Sequence, residues 1–321
     1  GTVRMDTYSG AGSWTNTSTV GKGIAVSGSG VLNLDDAFNA SALGNIVQTG
    51  GTVNLTGTMT LNQASTNLTT VGLTGLVINN GVINGGGNTL TGSGTALSST
   101  GSSTLNNITL ATDLAINGTT TLTNGLTLSG GAAVTLGSGA TLYYTGTQTL
   151  GGTGSLVFSG ASTTWLYRNG AAATLTVGPN ITVSGTGTGT AVFGYSADES
   201  IDFQGVLNAN VSGKTWYLGG FNNTGNINVS AGTVRMDTYS GAGSWTNTST
   251  VGKGIAVSGS GVLNLDDAFT TTGIGRITRS GGSINITGTL DNTGQTLDIG
   301  SAGPFGAGGL AALTGTIANG T

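Results

Sequence analysis

Few side chains in this sequence could do chemistry, and the acidic ones cluster only once outside a duplicated stretch. SADESIDF, residues 196–203, brings Asp198, Glu199 and Asp202 within five positions. Oxygen ligands that close could hold calcium, a hard cation that binds carboxylates and carbonyls. The loop lacks the spaced Asp and Asn ligands and the fixed Gly of an EF-hand, so a solvated turn is the competing reading. Asp198 and Asp202 could also serve as the two carboxylates of a glycosidase, which must stand roughly 5 to 10 Å apart across a cleft. No His and no Cys occur anywhere. That excludes a Ser-His-Asp triad, a thiolate nucleophile and ordinary transition-metal sites, and an enzyme is not expected. Aromatic residues crowd the stretch from Tyr143 to Phe221. Trp165, Tyr167, Trp216 and Tyr217 are the candidates for an exposed strip that grips a sugar or another filament. Bulkier core filling, or rings stacked along one face, is the alternative. Trp165 and Tyr167 share a face if their segment is a strand, whereas the adjacent Trp216 and Tyr217 must point to opposite faces.

What positions these residues is a repeat. The 38 residues 1–38 return without one difference at 232–269, and the 231-residue offset persists beyond them: GNIVQTGGTVNLTGTM from Gly44 is answered by GRITRSGGSINITGTL from Gly275. After a three-residue slip, GLVINNGVINGG from Gly75 lines up with GLAALTGTIANG from Gly309. The chain therefore reads as one long repeat, residues 1–231, and the start of the next, residues 232–321, with no separate globular domain. FNNTGNINVSAG leads into the second copy, whereas the first opens inside that unit, so the sequence reads as a window on a longer polypeptide.

Within the repeat the apolar residues alternate. Val53/Leu55, Ile108/Leu110, Leu114/Ile116, Leu126/Leu128, Val134/Leu136, Leu142/Tyr144 and Leu156/Phe158 are pairs one residue apart, separated by Gly-rich turns, and helical spacing is not sustained. Such pairs predict short half-buried strands. About three of them make a coil of roughly 22 to 28 residues, the spacing at which the unit returns, and stacked coils make a parallel β-solenoid. Stacking at about 4.8 Å pairs each coil's backbone with the coils above and below, which a lone five-residue strand cannot do. Val, Ile and Leu then form inward columns. Thr, Ser and Asn fall outward, where like stacks on like without charge repulsion. Gly, 62 residues, suits the corners, and Pro, only 2, would interrupt the ladder.

Composition narrows the partners. Charged residues are 6% of the chain and the net charge is −4. No basic patch is available for nucleic acid or an anionic membrane. The absence of Cys is compatible with export, and no apolar run reaches the roughly 18 residues of a membrane helix, so no membrane insertion is expected in this segment.

In GNINVSAGTVRM, GIAVSGSGVLNL, GGTVNLTGTMTL and NGLTLSGGAAVTLGSGATL the chain resembles the β-strand-repeat passengers of bacterial surface proteins: autotransporter and filamentous-haemagglutinin-like adhesins and the giant repetitive exoproteins related to them. The resemblance implies secretion to the cell surface, a right-handed parallel β-helix, and a role in adhesion, matrix or filament building. The expected function is structural, a filament, sheath or matrix fibre whose partners are further copies of the same repeat. The alternative is an adhesin that binds glycan or a host surface through the aromatic stretch. No cofactor is expected unless calcium binds at Asp198, Glu199 and Asp202.

Overall fold

The structure, a computed structural model, describes residues 1–6, 12–19, 21–93, 96–248, 250 and 252–320. Among these, helix is limited to two single turns, Ala40–Ala42 and Thr272–Ile274. The remaining elements are strands joined by parallel pairings between successive coils, and the fold is a parallel β-solenoid. The chain packs as two compact units, one of Gly1–Thr135 with Thr141–Tyr143 and Gly152–Gly154, the other of Leu136–Ala140, Tyr144–Gly151 and Ser155–Thr321.

In the first unit, one inward column runs through Phe38, Met59, Ile83, Leu105 and Leu122, each in register with the next. All five are buried, as the alternation predicts. Outward, Asn106 donates its side-chain amide to Asn84 at 3.0 Å and Asn124 donates to Asn106 at 2.7 Å. Each asparagine has both a donor and an acceptor, so a stack of them satisfies itself without charge.

The second unit has an inner column of Trp216, Val234, Leu263 and Ile284. Its core between Phe158 and Phe221 is filled by aromatic rings, with Phe158 5.2 Å from Trp216 and Phe193 5.3 Å from Phe221. A second inner column, Val177 and Phe203, turns polar below Phe203: Asn223 and Asn247 are buried in register, and Asn223 donates to Asn247 at 2.8 Å. The repeat boundary at 231/232 lies inside the continuous strand Asn226–Met236, so a sequence copy ends there and a packing unit does not.

The duplicated block builds the same rung twice. Thr2, Val3, Arg4 and Met5 pair with Val31, Leu32, Asn33 and Leu34, and Thr233 to Met236 pair identically with Val262 to Leu265. Trp14 donates its indole N–H to the Asp35 carbonyl at 2.9 Å and stacks on Phe38 at 4.3 Å. Trp245 does the same to Asp266 and Phe269 at 2.8 and 4.6 Å.

Two details refine the regular coil. The step between paired rungs ranges from 17 residues, Leu97 to Leu114, to 29, Thr2 to Val31, because corners vary in length while strands keep register. Glycine also does not hold the corners alone: Asp36, Asn80, Asn107, Asn124 and Asp267 have φ between 46° and 58°. Asn and Asp tolerate the left-handed region. At Asn107 and Asn124 this lets the strands Ser102–Ala111 and Thr119–Leu128 pass through a corner unbroken, so three separate strands per coil is not a fixed count.

Candidate functional site

From Tyr144 on, within the second unit, the aromatic stretch is divided by the pleat into an inner and an outer set. In the strand Thr164–Arg168, Thr164 and Leu166 are buried while Trp165 and Tyr167 stand outward, half-buried. In Val206–Leu218, Trp216 is buried and Tyr217 stands outward. The opposite facing of the last two follows from strand geometry. Trp216 is therefore not on the outer face: its indole lies in the core against Phe158.

The outer rings meet across rungs. Trp165 lies 6.2 Å from Tyr167, 5.8 Å from Tyr195 and 5.0 Å from Tyr239, centroid to centroid. Tyr217 lies 5.0 Å from Tyr239, and Tyr195 stacks on Tyr239 at 5.9 Å. Trp165, Val192 and Tyr217 are in register on neighbouring rungs. Val192 therefore points outward yet is fully buried, roofed by the rings on either side. Most of these contacts are edge-to-face, the geometry the ring quadrupole favours. Tyr239, 42% exposed, presents the most open ring.

At the edge of this face the Arg235 guanidinium sits 5.3 Å from the Tyr217 ring, donates to Asp237 at 3.1 Å and pairs with Asp266 at 3.2 Å. Burial, and then the nearby Asp266 and Asp267 charges, push the Asp237 carboxyl up to about 6. The face thus offers aromatic surface, phenol hydroxyls and a rim where Arg235 stands among Asp237, Asp266 and Asp267. Such surface can stack on polarised C–H groups or a cation.

The acidic cluster does not assemble. Asp198 is exposed, accepts from Ser196 at 2.7 Å and pairs with Arg168, and these hydrogen bonds hold its carboxyl below the usual range. Glu199 turns inward, where it accepts from the Tyr144 hydroxyl at 2.8 Å and the Arg168 backbone N–H at 2.6 Å. Burial and the Glu199 charge push the Tyr144 phenol strongly up. Asp202, on Ile201–Phe203, accepts from Gln204 at 2.9 Å and Asn222 at 3.3 Å. The three carboxylates named for calcium, Asp198, Glu199 and Asp202, thus hold separate protein partners, and no group of three acidic, His or Cys residues among the described residues is placed to hold a metal ion.

Reading the sequence left Tyr239 and Arg235 out of the aromatic set, since both lie in the duplicated block, and gave Tyr195 no site role. The signal that could have found Arg235 is its adjacency to Val234: once Val234 is inward, Arg235 must be outward beside Tyr217. Tyr239 lies beyond the strand, where alternation carries no information. Comparison with protein-family models, with curated proteins and with solved structures found no match.

Proposed function

We propose that this chain is a segment of a tandem-repeat β-solenoid that serves outside the cell as a structural element, in a surface filament, sheath or matrix fibre, with further copies of the repeat as its partners. The observation that carries this reading is the duplicated block. The same 38 residues make the same register and the same Trp-to-carbonyl and Trp-to-Phe contacts in two places, and at the second the rungs pass from one copy into the next within a single strand. Solenoid stability is a sum of rungs and their interfaces, so such a repeat can be lengthened without a new core. The polar side chains described above are engaged with one another, which supports a scaffold over an enzyme. Electron microscopy of a chain carrying several repeats tests it: thin fibres are expected, and discrete globules would overturn it.

A second reading has its own observation, the outward rings of Trp165, Tyr167, Tyr195, Tyr217 and Tyr239. They fit an adhesin that stacks sugar rings on this face. Glycan-array binding lost in Trp165→Ala and Tyr239→Ala, with the fold retained by circular dichroism, would favour it. Trp216→Ala is not a test, since that ring fills the core.

A further inference from the structure

With no Cys in the sequence, no disulfide can brace this fold, and tyrosine is the side chain left that oxidation can join to another of its kind. Tyr195 and Tyr239 are brought together by the backbone. The coil between theirs turns on Gly219 and Gly220 alone, since the strand Val206–Leu218 ends just before them and Phe221–Asn223 starts just after. The coils on either side turn through residues 194–200 and 237–245. These longer corners close over the short one: a Cβ at Gly219 would stand 2.8 Å from the Gly194 carbonyl oxygen and 3.0 Å from Thr238 Cα. They then pair directly with each other. Ser240 donates its backbone N–H to the Tyr195 carbonyl at 2.9 Å, and Ser196 and Ser240 form an isolated parallel bridge.

That register sets the two phenols side by side, with ring centroids 5.9 Å apart and planes 29° from parallel. The other tyrosine contacts of this face differ. Tyr217 meets Tyr239 edge-on at 74°, and Tyr167, 5.1 Å from Tyr195, is fixed within the strand Thr164–Arg168. Tyr195 and Tyr239 both lie past strand ends, where a ring can shift without breaking a ladder, and the exposed Tyr239 is open to an oxidant.

We propose that Tyr195 and Tyr239 form an oxidative cross-linking site, at which a haem peroxidase with hydrogen peroxide joins the two rings as dityrosine. Each phenol gives up its hydroxyl hydrogen to the oxidant as one proton and one electron. A carbon–carbon bond forms between the positions ortho to the two oxygens, and the hydrogens on those carbons move to the oxygens to restore both hydroxyls. The O–O bond of the peroxide breaks, and it leaves as two waters carrying the two protons and two electrons. Rings already in contact couple within one chain in preference to between chains. The bond ties together two coils that the Gly219–Gly220 corner separates. Closing the chain from 195 to 239 in this way stabilises the fold by restricting the unfolded state.

Trypsin releases Tyr167, Tyr195, Tyr217 and Tyr239 in four peptides, residues 23–168, 169–214, 215–235 and 236–253, but residues 5–22 repeat the last of these with Tyr8. The test therefore uses the full chain carrying Tyr8→Phe, treated at high dilution with peroxidase and hydrogen peroxide. The expected product is a monomer with dityrosine fluorescence, in which peptide 169–214 is joined to 236–253 with the loss of two hydrogens and the urea midpoint is raised. Tyr195→Phe and Tyr239→Phe keep the ring that packs, and each should abolish the emission and the joined peptide, whereas Tyr217→Phe should leave both. Absence of dityrosine, cross-links only between chains, or a main product joining 23–168 to 169–214 or 215–235 to 236–253 overturns the assignment. So does the same pairing in urea, where the register that selects it is gone.

Discussion

Two ionisable side chains, one buried and one half-buried, tie this scaffold to pH in opposite directions. Lys214 is buried beside the Trp216 ring, 5.6 Å from its centroid, and its ammonium donates to the Gly189 carbonyl at 2.8 Å. Burial lowers its pKa from 10.5 to about 8. The unfolded chain then binds more protons between about pH 8 and 10.5, so stability rises with pH across that window. Lys214→Met should abolish the slope and stabilise the chain at pH 7 by about 1 to 3 kcal/mol, the gain typical of removing an unpaired buried charge in favour of an apolar side chain. Urea unfolding at pH 7 and pH 10 checks both. Asp237 works the other way. Its folded pKa is raised from 3.8 to about 6 by burial and then by Asp266 and Asp267, against the opposing pull of Arg235. The folded chain binds more protons between about pH 4 and pH 6, so stability falls as pH rises through that range. Asp237→Asn should raise the melting temperature at pH 7, and the gap from the parent should close as pH falls towards about 4.

At the scale of the rung, corners matter as much as strands. Gly275 has φ 58°, and a Cβ there would stand 1.6 Å from the Asn247 carbonyl oxygen; Gly44 repeats the geometry against Asn16. Gly275→Ala adds an unfavourable left-handed conformation to a backbone clash, and a loss on the order of 2 to 3 kcal/mol is expected in thermal melts. The side chain of Asn247 closes the same corner, donating to the carbonyls of Ile274 at 2.8 Å and Arg276 at 3.0 Å. Asn247→Ala would remove the side-chain donor to the Ile274 carbonyl and the acceptor of the buried Asn223 amide, for a comparable loss. The strands themselves are legible in the sequence: each member of Val53/Leu55, Ile108/Leu110, Leu114/Ile116 and Leu156/Phe158 is inward and buried, since one alternating pair fixes both faces. The fillings where alternation fails are not legible. Trp216 and Tyr217 are adjacent and both large, so pattern cannot choose between them. Glu199, Lys214 and Asn223 are polar and read as outward, yet wide aromatic coils and buried carbonyls draw them in. The site was half legible for the same reason: Trp165 and Tyr167 sit in clean alternation, and Tyr195 and Tyr239 lie past strand ends.

For the molecule as a whole, stability should be distributed by neighbours, because in a solenoid each rung gains from the one on either side. The repeat again supplies the comparison. Ile83 lies between Met59 and Leu105 and is fully buried, whereas its counterpart Ile317 pairs with Leu290 alone and is 36% exposed. Val3 likewise has one in-register neighbour, Leu32, and is 55% exposed. Burying an aliphatic side chain contributes about 1.5 to 3 kcal/mol, so a rung missing one neighbour opens more readily than an inner rung of the same sequence. Native-state hydrogen exchange by mass spectrometry should therefore report the fastest opening at Thr2–Met5 and Thr316–Ala318. The slowest should be the aromatic-filled rungs of Gly154–Phe158, Ala191–Phe193 and Val206–Leu218. Adding a further 231-residue repeat should slow exchange at whichever end it covers and leave the inner rungs unchanged. Uniform exchange along the chain would mean that it opens as one cooperative body, and that the nearest-neighbour account of its stability is wrong.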